Sequence, residues 1–301
     1  MIRKVIQLAG KTLVVSLPSK WAKGTGINKG SEVTVEEKGD KIIISSAAAK
    51  AGLKTEADIT GTVPMTKRVL GAIFKLGYEE VVVRFSSSEE LAMAQEVIRE
   101  EFIGFEVVKR SKNLLHIKSV TQLDPNEFPT ILRRTFLALL GMAEESLVAA
   151  KKGDKLWLQT IALTDKDINK YADFCRRLLN QKGLSVAEKP LPMYYIVEQL
   201  ERIGDSYRDI CKAALEGEKM SLSAQKIHAE LTAFFRMMYD CYYKFSLQKM
   251  AEVGKKKEAL KKKLRQAFAT AKKSELQILI LLDKLTDDIY DMNGAVMAVM
   301  L

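Results

Sequence analysis

The stretch LERIGDSYRDI (residues 200–210) is written a second time, with changes, as LDKLTDDIYDM (residues 282–292). Aligned, Glu201, Asp205 and Asp209 fall opposite Asp283, Asp287 and Asp291. Acids four residues apart lie about 40° from one another on an α-helix, so each triplet occupies an arc of about 80°. Glu198 falls within the first arc. Leu200, Ile203, Tyr207, Ile210 and Ala214 take a different side, and Leu282, Leu285, Ile289 and Val296 repeat that arrangement. Both segments therefore predict helices with one face for a core and a ladder of carboxylates on another. Like charges at this spacing repel at a modest cost, so each ladder reads either as a solvated acidic face pairing with nearby lysines or as a site for a cation or partner.

Working outward, helical periodicity runs from 126 to the end of the chain, with helices expected over 126–153, 159–183, 191–217, 221–253, 255–271 and 273–300. Gly153, Gly183 and Gly217 mark ends, and Pro190 and Pro192 start the third helix. A similar final helix in each half implies two tandem three-helix units, a duplication rather than a solenoid. Residues 57–120 alternate as βαβαββ, a small α/β layer whose second helix opens with the capping-box pair Ser87 and Glu90. Residues 47–56 form a small-residue and polar connector. Residues 1–46 predict a strand pair around Gly10, a short helix opened by Pro18, and a second strand pair turning at EKGDK. So short a segment can barely bury a core by itself, and dimerisation is the natural remedy.

Composition bounds the function. The chain has 301 residues, 47% of them apolar, which describes an ordered multidomain protein. No apolar run reaches the ~20 residues that span a bilayer, and the first residues lack the pattern of a signal peptide. A cytoplasmic protein without membrane insertion is expected. Cys175, Cys211 and Cys241 are isolated within helical patterns, which points to reduced, structural thiols. The net charge of +10 favours a polyanionic partner. Residues 1–50 hold nine Lys or Arg against four acids, and residues 249–273 hold ten against two. The second run reads either as a solvated helix face or as a contact for DNA, an anionic membrane surface or an acidic partner. AGKT (residues 9–12) ends like a phosphate-binding loop, but Val5 stands where the first glycine belongs. No nucleophile, His base or general-acid pair is written near the ladders, so no enzyme is expected.

Two resemblances add to this reading. Arg3-Lys4-Val5, Gly10, the apolar run into Leu17-Pro18, Trp21, Gly26-Ile27, Gly30 and the two closing strands resemble the AbrB/MazE/SpoVT family of swapped-hairpin domains. That resemblance implies an obligate homodimer binding DNA through Arg3, Lys4, Lys11, Lys20 and Lys23. Lysines suit phosphate positioning better than base reading, so dimerisation alone stands as the alternative role. The two ladder helices resemble the signature helices of the PhoU family, tandem three-helix bundles whose E/DxxxD motifs hold iron, zinc or another divalent metal. The resemblance covers residues 126–301 and implies ligands at Glu201, Asp205, Asp283 and Asp287, with Asp209 and Asp291 extending the same faces. The middle helix of the first unit supplies Asp165, with Asn169 where a second carboxylate belongs. The corresponding segment of the second unit is lysine-rich, and its lysines offer salt bridges in place of metal.

The expected fold is thus multidomain α+β: a swapped-hairpin β domain (1–46), a small α/β domain (57–120) and tandem three-helix bundles (126–301). The combination resembles archaeal phosphate-uptake regulators. It implies a DNA-binding transcriptional regulator coupled to a sensing or relay domain, with a phosphate ABC transporter subunit or a signalling protein as partner. The alternative is a dimeric adaptor that docks on such a partner without touching DNA.

Overall fold

The structure is a computed structural model and describes residues 2–8, 10–46 and 53–301, so 47–52 of the expected connector lie outside the described residues. Two compact units divide the chain, Met1–Lys54 and Thr55–Leu301.

In the first unit β1 (Ile6–Leu8) pairs antiparallel with β2 (Thr12–Val14), Ile6 opposite Val14. Helix α1 (Ser19–Gly24) follows with Pro18 at its N-cap, where a fixed φ suits the entry. Strands β3 (Val33–Lys38) and β4 (Lys41–Ser46) form a second hairpin, Val35 opposite Ile44. Its turn needs a left-handed residue, and Gly39 supplies it at φ +58°. The hairpins belong to separate two-stranded sheets. Among the described residues of this unit no apolar side chain is buried; Leu13 and Ile42 are 71% and 66% exposed.

The second unit begins one residue into β5 (Lys54–Asp58) and continues with α2 (Thr66–Lys75), β6 (Glu80–Arg84), α3 (Ser88–Glu101), β7 (Phe105–Arg110) and β8 (Leu114–Ser119), the expected βαβαββ order. The sheet runs β5-β6-β8-β7. The first strand starts three residues before the expected 57, inside the expected connector. Its sequence KTEAD lacks an apolar alternation because it lies at the sheet edge, where polar side chains are favoured. The DITG segment instead turns, Asp58 Oδ1 accepting from the Thr60 amide at 2.9 Å. Val81 and Val83 of β6 share a buried face with Leu115 and Ile117 of β8, under Leu70, Phe74, Val97 and Ile98 from the helices. Ser87 and Glu90 form the expected capping box.

Six helices follow: α4 (Glu127–Lys152), α5 (Lys155–Lys182), α6 (Pro190–Leu215), α7 (Leu222–Tyr243), α8 (Leu247–Thr270) and α9 (Leu276–Met300). Helix α5 begins four residues earlier than expected, because Asp154 caps it through the Trp157 amide at 3.0 Å. The break between the fourth and fifth helices falls at 244–246, not beside Gly254. Ser246 caps α8 through the Lys249 amide, and Phe245 packs on the bundle core while Gly254 lies within α8. The two halves share one apolar core, which includes Leu200, Ile203, Tyr207 and Ile210 of α6 and Leu282, Leu285, Ile289 and Val296 of α9. Burying each such side chain contributes roughly 1.5–3 kcal/mol. Ser206 Oγ donates to Asp288 Oδ2 at 3.1 Å, and these residues occupy the same position in the two copies of the opening stretch. Contact between equivalent positions is what a local twofold relation between the halves produces.

Helix α5 also joins the bundle to the α/β layer. The Arg177 guanidinium lies over Phe74 and Phe105, 4.9 and 4.8 Å from the ring centroids, and its Nη1 donates to the Phe74 carbonyl at 2.8 Å. Asn180 donates to the Lys75 carbonyl at 2.8 Å and Gln181 to that of Gly77 at 3.3 Å. Three side chains of α5 thereby satisfy carbonyls at the C-terminal end of α2. Gly77, at φ +93°, lets the chain pass there: a Cβ would stand 3.0 Å from that of Gln181.

Candidate functional site

In the first unit Arg3, Lys4, Lys11, Lys20 and Lys23 are all exposed. Lys11 lies at the β1–β2 turn, while Lys20 and Lys23, three residues apart on α1, share a helix face. Arg3 Nη1 donates across the hairpin to Ser16 Oγ at 3.4 Å. Arg3 and Lys4 precede β1, so only Lys20 and Lys23 of this exposed basic set stand on a helix or strand.

The carboxylate ladders look quite different. On α6, Arg208 reaches over its own helix: Nη1 pairs with Asp205 and, at 2.9 Å, with Asp165 Oδ2 of α5, and Nη2 lies 2.8 Å from Asp209. Elsewhere on the α5–α6 pair, Arg176 of α5 is buried among Asp173 at 2.5 Å, Glu198 at 2.7 Å and Glu201. Gly204 makes the close approach of α5 and α6 possible, since a Cβ there would stand 3.2 Å from Ile168 and 3.3 Å from Asp165 Oδ1. Asn169, in place of the second carboxylate, donates to Asp165 Oδ2 at 3.3 Å. On α9 the position equivalent to Arg208 is Tyr290, and the cation comes from α8 instead. Lys261 Nζ donates to Asp283 Oδ1 at 2.7 Å and Asp287 Oδ2 at 2.6 Å. Asp291 is exposed and lies in no ion pair with the described residues.

Burial raises the pKa of Asp165, which the Arg208 charge opposes. Burial also disfavours the charged Arg208 and Lys261, but their carboxylate partners outweigh it and hold both above their usual values. Both cations therefore stay charged through the physiological range.

The donor set can be tested against a divalent ion. Metal ligands turn their lone pairs on one point, whereas these carboxylates turn theirs on guanidinium and ammonium hydrogens. Asp165 Oδ1 is buried without a hydrogen-bond partner among the described residues, yet one oxygen makes no coordination shell. Among the described residues no group of three or more His, Cys, Asp or Glu side chains converges as metal ligands would. The arrangement fits an internal cation, not a divalent ion. Spacing alone located the carboxylates but passed over Arg176 and Arg208. Arg208 stood inside the opening stretch, three residues after Asp205 and beside Asp209, and that was the available signal.

The lysine-rich α8 divides three ways. Lys256 and Lys263 pair with Glu230 of α7, and Lys261 takes the α9 acids. Lys257 lies over the Tyr290 ring, while Lys255, Lys262 and Arg265 remain exposed. No helix among the described residues is long and apolar enough to cross a membrane. Cys175, Cys211 and Cys241 are buried and unbridged.

Residues 6–51 match the family described as "Antidote-toxin recognition MazE, bacterial antitoxin". The N-terminal segment is a MazE/AbrB-like domain. The chain is also similar to the crystal structure of the phosphate transport system regulatory protein PhoU from Streptococcus pneumoniae. The TM-score is 0.49 and the identity 17%, over 58% of this chain and 94% of that one. Among curated proteins no sequence match was found.

Proposed function

We propose that the protein is a homodimeric, cytoplasmic regulator of phosphate uptake, whose MazE/AbrB-like domain binds DNA and whose helical bundle relays phosphate status. The observation that carries the DNA reading is the exposed set Arg3, Lys4, Lys11, Lys20 and Lys23 on a domain of that family. Phosphate enters through the resemblance of the two ladder helices to PhoU signature helices. The ladders are structural in this reading, and no catalytic step is assigned to them.

Counterion release makes such binding steeply salt-dependent. Fluorescence anisotropy with duplex DNA from upstream of a phosphate-transporter gene should show affinity falling with added salt. Lys11→Ala and Lys20→Ala should each flatten the slope of log K against log salt by about one. Binding indifferent to salt and to both changes would sink the DNA reading.

A second reading, an adaptor that does not touch DNA, is favoured by one surface. Helix α4 exposes Leu137 beside Arg133 and Arg134, in a groove shared with Thr164 and Tyr171 of α5, a composition common at protein contacts. Capture of a phosphate-transporter subunit or signalling protein by the full chain, undiminished by Lys11→Ala and Lys20→Ala, would favour it.

A further inference from the structure

We infer that the bundle is closed by its own cations, Arg176, Arg208 and Lys261, standing where a PhoU-like bundle is expected to hold metal, and that the folded protein is metal-independent. Three observations carry this. Of the seven carboxylates expected as ligands, Glu201 pairs with Arg176, Asp165, Asp205 and Asp209 with Arg208, and Asp283 and Asp287 with Lys261, leaving only Asp291. Both halves reach the same result by different routes. In the first, Arg208 sits on the ladder helix itself while Arg176 comes from α5; in the second Tyr290 takes the Arg208 position and α8 supplies an ammonium across the helix interface. With different residues at equivalent positions, Arg208 and Tyr290, both ladders still meet a positive charge from the chain itself.

The third observation is chemical. A guanidinium does not give up its proton in proteins, so Arg208 and Arg176 cannot step aside as neutral groups for an incoming ion. Arg208 also spans α5 and α6, and Lys261 spans α8 and α9, the helix pairing a bridging metal would provide.

The test uses the full chain. After incubation with excess Zn²⁺ or Fe²⁺ and desalting, elemental analysis should find no stoichiometric metal, and EDTA should leave the thermal midpoint unchanged. Lys261→Ala bares a half-exposed carboxylate pair without opening the core. It should bind Zn²⁺ at least tenfold more tightly than the parent by calorimetry and acquire an EDTA-sensitive midpoint. Arg208→Ala should behave likewise at the first ladder, and Lys261→Ala keeps the test open if that variant does not fold. Stoichiometric metal in the parent protein that is lost in Asp205→Ala, a parent midpoint lowered by EDTA, or a Lys261→Ala protein with no gain in metal affinity would each overturn the inference.

Discussion

Arg208 and Tyr290 stand at one position of a repeated segment, and that difference decides how each ladder is neutralised. The arginine serves its own helix, whereas the tyrosine accepts Lys257 over its ring and leaves the acids to Lys261. His228 is another residue whose surroundings set its chemistry. It is fully buried in the bundle, with Nε2 3.1 Å from Ser146 Oγ and its ring beside Tyr207. Burial lowers its pKa to about 4, against 6.5 for an exposed imidazole. The unfolded chain therefore binds a proton between those values that the folded chain refuses. Above pH 6.5 both states hold neutral imidazole and nothing changes; as pH falls from 6.5 through 4, stability is lost. Between pH 7 and 5 the parent should lose about 2 kcal/mol more than His228→Gln, measured by urea denaturation at each pH. Parallel losses in the two proteins would show that His228 does not titrate on unfolding.

At the scale of elements, the α7–α8 joint shows how local capping outweighs a glycine. Gly254 is a weak helix former, but ending the helix there would leave Phe245 inside a continuous helix and Ser246 without a capping role. The chain breaks at 244–246, where Ser246 accepts the Lys249 amide at 3.2 Å and the Lys249 ammonium donates to the Lys244 carbonyl at 3.1 Å. Ser246→Ala should cost about 1 kcal/mol of unfolding free energy, read from chemical denaturation. A loss within error of zero would mean that Phe245 packing alone holds the joint. Helix α5 shows the opposite limit, an element whose different faces do different work. Its Asp165 and Arg176 serve the bundle, while Arg177, Asn180 and Gln181 serve the α/β layer. Adjacent arginines on one helix point to different cores, a division that periodicity alone does not show.

For the whole molecule, the first unit sets the demand for a partner. Its described residues bury no apolar side chain, and Leu13 and Ile42 lie largely exposed. A segment of this size is stable only if another surface covers those side chains, and a second copy is the occupant proposed above. Sedimentation velocity should give twice the chain mass for the parent, and half of that for Leu13→Asp combined with Ile42→Asp. A monomeric parent would refute the dimer.

Read from residues alone, the chain already shows its βαβαββ layer, its six helices and the buried faces of α6 and α9. Those features rest on period, caps and breakers, which act between near neighbours. The ladders were legible for the same reason, because acids four residues apart share a face whatever lies around them. The start of β5 was missed by three residues because an edge strand needs no apolar alternation, and the α7–α8 break because Ser246 and Phe245 compete with Gly254 on terms set by the core. What only the tertiary structure decided is the company the carboxylates keep. Arg176 lies 25 residues from Glu201, Arg208 lies 43 from Asp165 and Lys261 lies 26 from Asp287. Charge pairing across helices depends on distance through space, which no local pattern carries; helix packing brings Arg176 and Lys261 onto their ladders and Asp165 onto Arg208.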